Sequence, residues 1–328
     1  MIIKPLTIGN KTFPVNVIQG PLAGVSCAPF RRLLWRYSQP AFACTEMISC
    51  KTLLHKPMIA QKRFIDKAAD EGPVCFQLAS NDPIELAEAV RRVTDYGADL
   101  IDLNCGCPVK KMRSRYMGSR LLSDPDKLYH LIRAMKENTT VPVSVKIRVD
   151  GQVDSFNDEV IGALKSAAVD FVIVHGRHYT EHYETPCHYD QIQYFVERLD
   201  IPVIGNGDIA CEASLKKMLA TGCAGVMISR ASVGQPWLID KLLATFQKRS
   251  FRTPSLREVG EVFVEHIESL AALLNSEKFA VLQARTLAKY YAKGQPMMPA
   301  LMLDMNTCDS LDALRAICAC YFNPKLKI

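Results

Sequence analysis

"PVIGNGDIACEASLKKMLATGCAGVMIS", from Pro202 to Ser229, reads as one complete strand–helix–strand unit. Two short β-rich runs, "PVIGN" and "GVMIS", flank "CEASLKKMLATGC", whose apolar residues recur near every 3.6 positions. Both runs are apolar without alternation, which suits strands covered on both faces in a parallel sheet. Working outward, six more runs of this kind appear: "VNVIQ" (Val15–Gln19), "AFACT" (Ala41–Thr45), "VCFQL" (Val74–Leu78), "LIDLN" (Leu100–Asn104), "VSVKI" (Val143–Ile147) and "FVIVH" (Phe171–His175). Helical stretches such as "PIELAEAVRRVTDYGAD" (Pro83–Asp99) and "DKLYHLIRAMKENT" (Asp126–Thr139) lie between them. Eight such units predict an α/β fold of the closed (β/α)8 TIM-barrel type.

The chain has 328 residues and is 48% hydrophobic, enough for one large domain and a smaller one. Beyond Pro254, "LREVGEVFVEHIESLAALL" and "LDALRAICACYF" are apolar at helical spacing. The expected division is a barrel over residues 1–245 and a small all-helical C-terminal domain over 246–328. A formal charge of +6 permits a polyanionic partner without demanding one. The 12 scattered cysteines read as free thiols in a reduced, cytoplasmic protein. The N-terminus lacks a signal-peptide core, and no apolar run approaches the roughly 18 residues of a membrane span. The expectation is no membrane, no metal and a monomer.

Barrel proteins work at the C-terminal ends of their strands. Those ends carry "GPLAG" (Gly20–Gly24), Glu46, Gln77, Asn104, Lys146 with Arg148, His175 with Arg177, Asn206-Gly207-Asp208, and Ser229-Arg230. Any one is unremarkable; their convergence points to a ligand at the mouth. "IGNGDI" and "MISRAS" follow the last two strands, where barrels commonly bind phosphate through backbone N–H groups. Arg230 can fork onto phosphate oxygens. A cation at Lys146 suits a ligand that gains negative charge, such as a reduced flavin. No G-x-G-x-x-G follows a strand, so a resident dinucleotide domain is not expected. FMN at the mouth with a visiting nicotinamide fits better.

"DLNCGCPVKK" (Asp102–Lys111) places two cysteines one residue apart. A structural zinc needs four ligands, and no second paired set follows. A redox pair normally opens a helix, whereas Gly106 and Pro108 shape a turn. One thiol aimed at substrate remains. Alternation sets Asn104 and Cys105 on opposite faces; past Gly106 it no longer decides, with a lean toward Cys107 as the loop thiol.

These residues resemble the bacterial tRNA-dihydrouridine synthases, most of all their B branch. The resemblance rests on "GPLAGVSCAPFRRLL", "TEMIS", "CFQLASNDP", "DLNCGCPVKK" with "GSRLL", "VPVSVKIR", "VHGR", "IPVIGNGDI" and "GVMISRASVGQPWL", in family order over residues 15–240. It implies an FMN-bearing barrel with a tRNA-gripping helical domain, reducing particular tRNA uridines to 5,6-dihydrouridine at the expense of NADPH. Hydride would pass from flavin N5 to uracil C6, and Cys107 would protonate C5. Thiols titrate near about 8.5 and stay mostly protonated at neutral pH, which suits a general acid. By position, Pro21, Leu22, Ala23, Gln77, Lys146, His175, Asn206, Gly207, Asp208, Ser229 and Arg230 would hold FMN. Asn104, Arg148 and Glu46 would lie near the uracil, reached by base flipping, and Arg285 would meet tRNA. Ser229 replaces a usual Gly, and Thr286 and Leu287 depart from a usual basic pattern. Two other readings differ in kind: a dihydroorotate-dehydrogenase-like barrel acting on a free pyrimidine, and a degenerate homologue that binds tRNA without turnover.

Overall fold

The computed structural model describes residues 3–150 and 154–323. Its strands are β1 (Leu6–Ile8), β2 (Lys11–Phe13), β3 (Val17–Gln19), β4 (Ala43–Cys44), β5 (Ile48–Ser49), β6 (Val74–Ala79), β7 (Leu100–Cys105), β8 (Val143–Arg148), β9 (Phe171–His175), β10 (Val203–Asn206) and β11 (Gly225–Ile228). Strands β3, β4, β6, β7, β8, β9, β10 and β11 pair in parallel in that order, and β11 returns to β3. The eight-stranded (β/α)8 barrel expected from the repeat is therefore present. Its second strand is interrupted: β4 meets the start of β6 and β5 its end, with Thr45, Glu46 and Met47 between them. The hairpin of β1 and β2 was not expected; three-residue strands are too short to show a period.

Asp-Pro pairs start two of the barrel helices. Asp82 accepts from the N–H of Ile84 at 2.9 Å and begins Pro83–Asp95; Asp124 accepts from Lys127 N–H at 3.0 Å and begins Pro125–Lys136. The Asp side chain satisfies an orphan donor, and Pro at the first turn has no N–H to strand. The helices lay apolar stripes such as Leu128, Leu131, Ile132 and Met135 onto the outer face of the sheet.

Helix Leu238–Gln247 still packs into the barrel core through Leu238, Ile239, Leu242 and Leu243. Four helices follow: Leu256–Leu274, Glu277–Tyr291, Met298–Thr307 and Leu311–Tyr321. Ser255 and Glu258 form a capping box at the first of them. These helices share a second core built on Phe263, Ile267, Val281, Tyr291, Leu301 and Phe322, into which the barrel sends Cys27, Leu33, Val233 and Trp237. Among the described residues no helix is long and apolar enough to cross a membrane.

Candidate active site

Side chains on a strand alternate between the two faces, and β7 and β8 show the consequence. Asp102, Asn104, Ser144 and Lys146 are register partners in pairs (Asp102 with Ser144, Asn104 with Lys146) and point into the barrel. Cys105 points outward into the helical layer, where it is fully buried. Burial pushes its thiol pKa well up, and the nearby Asp102 adds to that. Cys107, two residues on, is half-buried in the loop beyond the strand.

The inward groups form one hydrogen-bonded chain. Ser144 Oγ donates to Asp102 Oδ1 at 2.6 Å, and Gln77 Nε2 donates to Asp102 Oδ2 at 2.8 Å. Asn104 Nδ2 donates to Gln77 Oε1 at 2.8 Å, and Asn104 Oδ1 accepts from Cys107 N–H at 3.0 Å. Fixing each amide's orientation in turn fixes the start of the cysteine loop. Burial lifts the Asp102 carboxyl to about 6. The far side of the loop is tied as well: Ser119 N–H donates to the Cys107 carbonyl at 3.0 Å. Gly118 permits that approach, because a Cβ there would stand 2.6 Å from the same carbonyl oxygen, at a φ of +62°.

A second chain crosses the mouth. Lys146 Nζ donates to Asn206 Oδ1 at 2.9 Å, and Asn206 Nδ2 donates to the Met227 carbonyl at 2.8 Å and to Ser229 Oγ at 3.4 Å. Burial, then the neighbouring Arg148, lower Lys146 to about 8, so it remains a cation at neutral pH. Ser229 is accommodated by Gly20: a Cβ on Gly20 would fall 2.5 Å from the Ser229 hydroxyl. Burial drives the His175 pKa well down, helped by Lys146 and Arg148, so its ring is neutral. Arg148 is buried, donating to the carbonyls of Gly106 at 2.9 Å and His178 at 2.8 Å.

Other expected residues sit in separate networks. Both Asp208 oxygens accept from the buried Arg177, at 2.5 and 2.6 Å, and Arg177 also donates to the carbonyls of Thr185 and Tyr183. Asp208 thus braces the loop after β9. Glu46 is 4% exposed; Oε1 accepts from Arg63 Nε at 2.8 Å and Oε2 from Gly24 N–H at 2.7 Å. Arg63 Nη1 then donates to Gln283 Oε1 at 3.0 Å, and Gln283 Nε2 donates to the Gly24 carbonyl at 2.8 Å. Gly24 closes the loop that carries Pro21, Leu22 and Ala23. Arg230 lies over the Tyr183 ring at 3.5 Å. Arg285 donates twice to the Cys308 carbonyl, at 3.2 and 2.8 Å, inside the helical domain.

Sequence reading passed over Asp102, Ser144, Arg63, Gln283, Gly118 and Ser119. Parity with Asn104 and Lys146 marks the first two. Nothing local marks Arg63 or Gln283, whose partners lie on other elements.

The mouth's donor set suits a ligand with carbonyl and phosphate oxygens, such as FMN. Lys146 is cationic and Gln77 and Asn104 present amides, while Gln19 Oε1, buried with no protein partner, is an acceptor for a ligand N–H or hydroxyl. Among the described residues no group of three or more His, Cys, Asp or Glu could hold a metal. A closed parallel barrel with polar strand ends gathered at one mouth and the half-buried Cys107 on the loop after β7 has the form of a barrel enzyme working at its C-terminal mouth. The family model described as dihydrouridine synthase matches residues 18–317. The chain belongs to that family. Its relatives include tRNA-dihydrouridine synthase B of Xanthomonas axonopodis pv. citri, 32% identical over 97% of this chain and 96% of the relative. The protein of the same name from Xanthomonas campestris pv. campestris is 33% identical over the same shares. A probable tRNA-dihydrouridine synthase 1 from Synechocystis is 34% identical over 91% of this chain and 84% of the relative.

Proposed function

We propose that this chain reduces uridines of tRNA to 5,6-dihydrouridine with FMN and NADPH, and that Cys107 is its general acid. The observation that carries the reading is the cysteine loop: Cys107 N–H is held by Asn104 and its carbonyl by Ser119 N–H, which leaves the side chain to work from a fixed backbone. The relatives' shared name supports the substrate.

Lys146, Gln77, His175, Asn206, Gly207, Ser229, Arg230 and the Pro21-Leu22-Ala23 loop would hold FMN. Any hold by Asp208 passes through its backbone, since Arg177 engages its carboxylate. When bound, FMN would supply the hydride, replenished by NADPH. Asn104 and Arg148 orient the uracil, Glu46 sets the loop beside it, and Cys107 Sγ holds the proton delivered to C5. Arg285, on helix Glu277–Tyr291, would belong to the surface that meets tRNA. Cys105 serves packing: its sulfur lies behind the strand, where burial disfavours the thiolate.

The test is dihydrouridine formation in tRNA that lacks it, with FMN and NADPH added. Wild type should form dihydrouridine in tRNA and leave free uracil and orotate untouched. Cys107→Ala should lose about 10²–10⁴-fold, the usual worth of a positioned acid, while Cys105→Ala retains activity. Turnover of orotate, or loss in Cys105→Ala alone, overturns the reading.

A further inference from the structure

Behind the cysteine loop lies a cleft of about 190 Å³ between the β7, β8 and β9 ends. Three arginines line it, Arg113, Arg120 and Arg148, together with Ser119, Ser123 and His178. Among the described residues the carboxylate in its lining is Asp150, whose Oδ1 stands 3.9 Å from His178 Nε2. Burial lowers the His178 pKa, and three guanidinium groups against one carboxylate leave the described lining positive. Arg113 lies over the Tyr179 ring at 3.5 Å, which fixes the plane of its guanidinium.

Two donors here have no protein acceptor: Arg113 Nε and the hydroxyl of Ser119, a residue only 5% exposed. Buried donors without acceptors are costly and uncommon. Concentrated cations, a fixed guanidinium edge and two unmet donors call for a tetrahedral oxyanion.

We propose that this cleft is a phosphate-binding subsite, distinct from the β10 and β11 ends assigned to FMN. Its ligand is a phosphate group, brought either by the RNA strand or by the dinucleotide. Ser119 links it to the chemistry: the residue lines the cleft, and its N–H holds the Cys107 carbonyl. A phosphate seated here therefore steadies the acid's loop from behind.

The sources rest on the function proposed above; the subsite itself does not. The first experiment uses the whole chain with excess FMN, so that the cofactor's own phosphate site is filled. Inorganic phosphate at millimolar concentration should raise the Tm of wild type relative to chloride at equal ionic strength, because a ligand of the native state stabilises it. Arg120→Ala, an exposed position expected to fold, and Ser119→Ala should lose that rise, and Arg120→Lys should recover part of it. The second experiment compares sources. If RNA supplies the phosphate, Arg120→Ala weakens tRNA binding several-fold and lowers the salt slope by about one, with KM for NADPH unchanged. If the dinucleotide supplies it, KM for NADPH rises and tRNA binding stays. An equal phosphate shift in wild type and variants, with both source arms unmoved, overturns the subsite. A wild type that never modifies tRNA overturns only the function and leaves the phosphate shift standing.

Discussion

Gly118→Ala tests whether the cysteine loop is positioned from behind. A Cβ at Gly118 meets Cys107 O at 2.6 Å and Cys107 Cβ at 3.0 Å, whereas ordinary contact begins at 3.4 Å. About 0.8 Å must be found, and the nearer atom is backbone, which cannot swing away. The left-handed φ of +62° adds roughly 1–2 kcal/mol for any L side chain, and the overlap about 1–3 kcal/mol more. Gly97→Ala is the matched control: φ is +82°, with nothing within 4 Å of its Cβ. Both variants should melt lower, by about 2–4 °C per kcal/mol. Only Gly118→Ala should lose catalysis, by about 10²-fold, the scale of an ångström's misplacement at a reacting group. Stopped-flow measurement should place the loss in the uridine half-reaction and leave NADPH oxidation unchanged. If Gly118→Ala reduces uridine as fast as Gly97→Ala does, the loop does not position the acid.

The buried Arg63–Glu46 pair gives a thermodynamic test. Arg63→Ala leaves the buried Glu46 without its cation and should cost about 3 kcal/mol in urea melts. A double-mutant cycle with Glu46→Gln should return a coupling above about 1 kcal/mol; a coupling near zero contradicts the pairing. Asp102 predicts a pH effect of definite sign. Its folded pKa of about 6 lies above the ordinary value near 3.9, so between them the folded chain holds a proton that the unfolded chain releases. Stability from this group therefore falls as pH rises from about 4 through 6. Asp102→Asn should flatten that slope in melts at several pH values, and equal slopes would refute the assignment.

Much of the barrel was legible because its strands are apolar throughout and its helices carry a 3.6-residue period, so the repeat survives without contacts. The broken second strand was not legible: the reading took "AFACT" as the whole strand, and the second piece, β5, shows only in how β4 and β5 divide the length of β6. Within the candidate site, residues at strand ends were picked out by position, since the barrel brings all those ends to one mouth. Gln77, Asn104, Lys146, Asn206 and Ser229 do join hydrogen-bonded chains there. Asp208 and Glu46 occupy strand ends too, yet each is taken up by an arginine from another element, Arg177 and Arg63. Such partners are fixed by tertiary packing, and no local pattern announces them. The two cysteines show the reverse. Alternation along β7 did separate Cys105 from Asn104, and the strand ends where the lean toward Cys107 begins.

The two backbone groups of Gly24 are held from opposite sides: its N–H by Glu46 of the barrel, its carbonyl by Gln283 of the helical domain. Evolution therefore cannot treat the two domains as interchangeable parts. A helical domain grafted from a relative brings its own residue to position 283, and the graft must still reach Gly24 or the loop loses one of its two anchors. Most of the outer surface of helix Glu277–Tyr291 is free to drift in sequence, but the face carrying Gln283 inherits its constraint from the barrel.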